Sequence, residues 1–185
     1  MNANESTASP ILARRAAGVL LHPTSLPGPW GIGDLGPEAH SFVDFLYATG
    51  QQLWEVLPMG PTGYGDSPYQ GLSAFAGNPN LLSPDRLAED GLLDPAELAA
   101  LPRFPEGRVD FGAVIPFKRQ LLTHAYDRFR AGARPELIAA LHAFRAQESD
   151  WLENFALFAA LKEAHGGAEW RAWEDELARR DPAAL

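Results

Sequence analysis

Cysteine is absent from the 185 residues, which excludes disulfides, thiolate nucleophiles and cysteine-ligated metals from this stretch. Positive charge is scarce. Fifteen Lys and Arg stand against 24 Asp and Glu, a formal net charge of −9, and without a basic stripe to neutralise phosphates, nucleic acid is not expected as a partner. No apolar run approaches the roughly 20 residues that a membrane-spanning helix needs. The polar start, Met1 to Pro10, lacks the apolar core of a signal peptide, so residues 1–15 read as a disordered tail. A cytoplasmic protein with no membrane partner is the resulting expectation. His40, His124, His142 and His165 are scattered over predicted helices without a metal-pair constellation, so no metal is expected either.

What the chain does have is an ordinary globular composition, 46% hydrophobic and 21% charged, enough to bury a sizeable core. Ala16–Leu21 is a short unalternating apolar run, which predicts a strand buried on both faces, as in a parallel sheet. A Pro/Gly-rich loop, His22–Gly33, follows. In Asp34–Thr49 the residues Ala39, Phe42, Val43, Phe45 and Leu46 fall at helical spacing, Pro37 suits a first turn and Gly50 a C-terminal stop. Gln52–Met59 predicts a second buried strand, completing a βαβ pattern with a right-handed crossover. Gly60–Pro84 is a long, Gly- and Pro-rich loop of the kind that is more often functional than incidental. The remainder predicts helices only: short ones near Pro84–Glu89 and Pro95–Ala100, an amphipathic one over Val114–Arg130 (Phe117, Leu121, Leu122, Ala125 and Phe129 on one stripe), then Pro135–Gln147 and Trp151–His165, stopped by Gly166-Gly167. Two strands cannot close a barrel and leave both edges unpaired. The inventory therefore reads as the opening of something longer.

The residues with chemical content are Gly63-Tyr64-Gly65-Asp66-Ser67-Pro68-Tyr69-Gln70, with Ser73–Pro79 just after. Aromatic rings beside polar groups on a stiffened loop suit a sugar, whose apolar C–H face lies on a ring while its hydroxyls bond Ser, Asn, Gln or Asp. The same residues also suit a packed loop with core tyrosines and Asp and Ser as turn formers. His22, just past the first strand, either meets a substrate or fixes its own loop. Gly31-Ile32-Gly33-Asp34-Leu35-Gly36 matches a Gly-x-Gly-x-x-Gly string, a weak phosphate-cradle signal with Glu55 as a poor ribose partner. Glycoside chemistry needs two carboxyl groups flanking the scissile bond. The loops offer Asp34 and Asp66, neither with a plausible partner, and no complete acid/base pair is found.

The strings LLHPTSLPGPWGIGDLG, QLWEVLPMGPTGYGDSPYQ and SAFAGNPNLLS resemble the amino-terminal part of the amylomaltases, the 4-α-glucanotransferase (disproportionating enzyme) family, from Ala16 to about Pro182. The resemblance implies an α/β fold: the first two strands of a (β/α)8 TIM barrel over 16–84, carrying the substrate-binding loop, and a mainly helical insertion over 85–185. It implies transfer of a segment of an α-1,4-glucan to the 4-hydroxyl of another glucan or glucose, by retaining double displacement on an Asp nucleophile with a Glu acid/base, and no cofactor. Those carboxylates belong to later strands, so no residue here is expected to be catalytic and the chain alone should be inactive. The partner implied is an α-1,4-glucan or maltooligosaccharide. By family position Tyr69 stacks on the sugar next to the scissile bond, Ser67 hydrogen-bonds it and Tyr64 meets glucan further away. Asp66, Gln70 and His22 complete the set, mainly as loop holders. A glucan-binding module without chemistry, or a helical interaction domain, are the alternatives.

Overall fold

The structure, a computed structural model, describes residues 15–102, 104–105, 107–132 and 134–185. Apart from Arg15, the tail expected over 1–15 lies outside the described residues. The chain divides into two compact units, the first ending at Pro135 and the second spanning Glu136–Leu185.

The first unit opens with the expected βαβ arrangement. Strand β1 (Gly18–Leu20) and strand β2 (Leu53–Glu55) flank helix α1 (Pro37–Ala48). The strands pair in parallel, Gly18 against Leu53, Val19 against Trp54 and Leu20 against Glu55. Main-chain bonds extend the ladder at both ends, from Gln52 N–H to the Ala17 carbonyl (2.9 Å) and from Leu21 N–H to the Glu55 carbonyl (3.0 Å). Gly18 is required by this pairing, because a Cβ there would stand 2.6 Å from Leu53 Cβ. Helix α1 begins where Pro37 presets its first turn and ends before Gly50, whose φ of +73° is the left-handed stop that glycine adopts without strain.

Burial on both strand faces, the expectation from the apolar runs, is not what the structure shows. Side chains alternate across a strand, so Val19 and Trp54 share one face while Leu20 and Leu53 share the other. On the first face, the Phe42 ring from α1 meets Trp54 edge-on at 5.0 Å, and the Trp54 indole N–H donates to the Leu21 carbonyl (2.7 Å). On the second face, Leu20 is 55% exposed and Leu53 37%; on α1 itself, Val43 and Phe45 of the predicted stripe are about half exposed. Two strands and one helix cover only one sheet face between them. The apolar code of the runs is written for two.

Beyond the long loop come helices α2 (Pro84–Glu89), α3 (Pro95–Ala99) and α4 (Phe111–Arg130). Helix α3 has a capping box: Asp94 accepts from Ala96 N–H (2.8 Å) while Glu97 accepts from Asp94 N–H (3.2 Å). Helix α4 starts at an Asp110 cap on Ala113 N–H and buries Val114, Lys118, Leu121 and Ala125 along one side. A lysine in that stripe is the feature the periodicity reading overlooked.

The second unit contains helices α5 (Pro135–Gln147, its first residue excepted), α6 (Leu152–Ala164) and α7 (Asp175–Ala178). Gly166 and Gly167 stop α6 in left-handed conformations. Its core is aromatic: Phe158 packs on Trp173 at 5.9 Å and His165 stacks on the same indole at 5.1 Å. His165 bonds the Leu161 carbonyl through Nδ1 (2.7 Å) and Glu174 through Nε2 (2.8 Å). The Glu174 hydrogen bond raises the imidazole above its ordinary 6.5, and the His165 hydrogen bond lowers the carboxyl below its ordinary 4.5. A raised His contributes stability that is present below its unfolded value and lost as pH rises through the folded one. A lowered Glu contributes stability that is lost as pH falls through its folded value. The bridge is therefore fullest between about pH 4.5 and 6.5. In an NMR titration His165 is expected to titrate above 6.5 and Glu174→Gln to bring it back toward that value; an unmoved titration in the variant would contradict the assignment.

Candidate functional site

The 60–78 loop is tied at its neck and again nearer its tip. Asn78 N–H donates to the Met59 carbonyl (2.8 Å), Leu72 N–H to the Pro61 carbonyl (2.8 Å) and Gly63 N–H to the Gln70 carbonyl (2.8 Å). An antiparallel bridge joins Thr62 to Gly71. The neck is tight, since a Cβ on Gly60 would stand 2.7 Å from the Ser73 carbonyl oxygen. At the tip, Gly65 and Asp66 lie in succession in the left-handed region (φ +68° and +55°), which reverses the chain and lifts the flanking tyrosines outward. Tyr64 is 89% and Tyr69 73% exposed. Large rings held out from a hydrogen-bonded loop are not the core tyrosines of a merely packed loop.

The polar members of the loop divide between structure and availability. Ser67 Oγ accepts from Tyr69 N–H (3.3 Å), fixing the backbone under the ring, and its own hydroxyl proton remains free to donate. Gln70 holds the loop with its main chain, donating to the Ser67 carbonyl (3.0 Å) and accepting from Gly63, while its side chain is exposed. Asp66 also engages through its backbone N–H, to the Gly63 carbonyl. The loop thus brings together Tyr64, Asp66, Ser67, Tyr69 and Gln70. His22 stands apart, in the turn after β1. Its Nδ1 lies 2.7 Å from Thr24 Oγ1 and accepts from Thr24 N–H, capping the short turn Pro23–Ser25. Its Nε2 is buried without a hydrogen-bond partner among the described residues.

Replacing Gly65 by Ala tests the tip geometry. A Cβ there meets nothing within 4 Å, so only the left-handed backbone opposes the change, at a cost of about 1–2 kcal/mol. The expected result is a small loss of stability with a clear loss of order at Tyr64 and Ser67, read from their NMR line widths; unaltered line widths would show that the tip does not depend on this turn.

The Gly-x-Gly-x-x-Gly string is not a phosphate cradle. A Cβ on Gly33 would lie 2.1 Å from the Pro23 carbonyl oxygen, and one on Gly36 2.3 Å from Ser83 Oγ, so these glycines serve close packing. The anion position at the start of α1 is taken by the chain's own Asp34, which accepts from Gly36 N–H (2.9 Å). Asp34 Oδ2 in turn pairs with Lys118 Nζ at 3.1 Å, both side chains buried. Asp34 is therefore withdrawn from the acids open to a substrate. Among the described residues no cluster of three or more His, Asp and Glu could hold a metal ion, and no helix is long and apolar enough to cross a membrane.

A cavity of about 1050 Å³ opens elsewhere in the first unit, between the 24–33 segment and the 98–111 segment, with Phe104, Arg108 and Phe111 in its wall. None of the six candidate residues lines it. Its sequence signal is two Gly- and Pro-containing stretches with interspersed aromatics, of which only His22–Gly33 reads as a loop.

The family model described as 4-alpha-glucanotransferase matches residues 21–185. A 4-alpha-glucanotransferase from Thermus thermophilus is 52% identical over 171 residues, covering 92% of this chain and 33% of that protein. One from Synechocystis is 48% identical over 175 residues, covering 95% and 35%. Among solved structures, the amylomaltase from Streptococcus agalactiae in complex with acarbose superposes with a TM-score of 0.84 at 38% identity, over 92% of this chain and 34% of that one. The chain spans about a third of the length of the relatives it matches. By the family match and these identities, the chain belongs to the 4-alpha-glucanotransferase family.

Proposed function

We propose that this chain is the amino-terminal, glucan-binding portion of a 4-α-glucanotransferase, an enzyme that moves a segment of an α-1,4-glucan to the 4-hydroxyl of another glucan or of glucose with retention of configuration. Residues 16–84 would be the start of a (β/α)8 barrel with its substrate loop, and 85–185 a helical insertion. The observation that carries the reading is the pair of outward rings, Tyr64 and Tyr69, on a loop closed by its own backbone bonds. The solved neighbour's complex with acarbose supports a carbohydrate as the partner. Tyr69 would take the apolar face of a pyranose, Ser67 would donate to one of its hydroxyls, and Tyr64 would meet the glucan further along. Gln70 and Asp66 shape the tip, and His22 holds the turn after β1.

No acid in the chain is assigned as nucleophile or acid/base. Asp34 is sequestered by Lys118, and Asp66 has no second carboxylate placed opposite it on the loop, whereas a retaining mechanism needs two about 5–5.5 Å apart. The 185 residues alone are expected to bind maltooligosaccharides without transferring them. The test is incubation with maltotriose, for this chain and for the full gene product, following glucose and longer oligosaccharides. Longer products from the full product and none from the chain support the reading. Glucose alone would make it a hydrolase, and no reaction with no binding would leave a helical interaction domain.

A further inference from the structure

Helix α4 carries one side chain that serves neither the helix nor the apolar core, and its bonds lead to the loop. Lys118 is 1% exposed. Its ammonium donates to the Leu82 carbonyl (2.7 Å) and to Asp34 Oδ2 (3.1 Å). Asp34 Oδ1 holds Gly36 N–H at the start of α1, and Leu35 N–H donates to the Leu81 carbonyl (3.0 Å). One cation thus ties together the segment that opens α1 and the segment on which the 60–78 loop ends.

The connection from Leu82 back to the loop is short and stiff. Leu82 closes the 3-10 turn Pro79–Leu81, in which Asn78 Oδ1 accepts from Asn80 N–H (3.0 Å). Leu81 and Asn78 are both buried, and Asn78 N–H is the donor that shuts the loop neck on Met59. With Gly60 already in close contact with the Ser73 backbone, a shift at Leu82 has no slack to dissipate into and passes to the neck. We infer that Lys118 is a positioning residue for the Tyr64–Tyr69 glucan loop, acting through the Leu82 carbonyl. The inference rests on the reading of that loop as the glucan site.

Removing Lys118 alone would strand the buried Asp34 charge and confuse positioning with stability. The informative comparison sets the double variant Lys118→Met/Asp34→Asn, which removes the bond to Leu82 without leaving an unpaired charge, beside Asp34→Asn, which strands the Lys118 charge but keeps the amine as a donor to Leu82. Urea midpoints of both separate a general loss of stability from loosening of the loop. The chain is followed by amide hydrogen exchange and by maltoheptaose titration. In the double variant the Gly63, Gln70, Leu72 and Asn78 amides are expected to exchange about tenfold faster, with α4 amides unchanged and maltoheptaose bound about tenfold more weakly. Asp34→Asn should leave the loop amides as well protected relative to the α4 amides as in the wild type, whatever it costs in overall stability. Equal behaviour of the loop amides in the two variants overturns the inference, because the lysine would then matter only as half of a charge pair. Loosened amides in a chain that never binds maltoheptaose would uphold the tie to the loop and overturn the glucan reading instead. If the double variant does not fold, Lys118→Gln/Asp34→Asn carries the test: it leaves no charge and fills the site with an amide one bond too short to reach the Leu82 carbonyl, and retained loop protection there would count against the inference.

Discussion

Lys118→Met is expected to destabilise the first unit by about 3–5 kcal/mol, the range for leaving a buried charge without its partner. The variant removes the cation from a site where Lys118 and Asp34 are 1% and 8% exposed, and Asp34 then keeps the Gly36 N–H and the Ser83 hydroxyl but no cation. The double replacement Lys118→Met/Asp34→Asn is expected to recover most of that loss, since exchanging a whole buried pair for uncharged groups is often close to neutral. Burial pushes the lysine down and the aspartate up, each against the attraction of the other. The pair is therefore poor evidence for stability in itself and better evidence for register. Urea midpoints of the wild type, Lys118→Met, Asp34→Asn and the double variant measure the cycle; a Lys118→Met variant as stable as the wild type would mean that the ammonium is not buried as described.

Tyr69→Ala is expected to weaken maltoheptaose binding about 30-fold. Covering one face of the ring removes about 80 Å² of apolar surface from water, a fraction of what a fully buried aromatic contributes, and at roughly 25 cal/mol per Å² this is about 2 kcal/mol. The side chain is 73% exposed, so the variant loses no core packing and its unfolding midpoint should not move. Tyr69→Phe keeps the face and should bind within a few-fold of the wild type. In the full gene product the same Ala variant should lower transfer by a similar factor, because a sugar that is not held flat beside the scissile bond is not oriented for attack. Equal loss in the Phe and Ala variants would point to the hydroxyl as the contact and away from stacking.

Much of the fold was legible because its signals are local. Pro37 and Gly50 bracket α1, Pro84 and Pro95 open α2 and α3, and the Gly166-Gly167 pair ends α6, each a consequence of fixed or left-handed φ. Parallel pairing of β1 with β2 followed from the βαβ length. What failed was the inference from apolar runs to burial: Leu20 and Leu53 are written as interior residues, yet no element among those described covers their face. A run of hydrophobic residues states what a strand needs, and says nothing of what is there to meet it. Lys118 was missed for the opposite reason. A cation at a core position breaks the apolar stripe, and its partner Asp34 lies 84 residues away, a separation that no periodicity can bridge. The loop tyrosines were visible as residue types, but their exposure depends on the left-handed turn at Gly65-Asp66. The sequence offers only a glycine as the hint.

The proposed function stands or falls with a glucan lying on the ring of Tyr69. The direct measurement is a nuclear Overhauser experiment on the 185-residue chain, with tyrosine rings labelled and maltoheptaose added. Contacts between pyranose C–H protons and the Tyr69 ring, with weaker ones to Tyr64 and their disappearance in Tyr69→Ala, are the predicted result. Maltoheptaose that binds with contacts only elsewhere, or that does not bind at all, would contradict it.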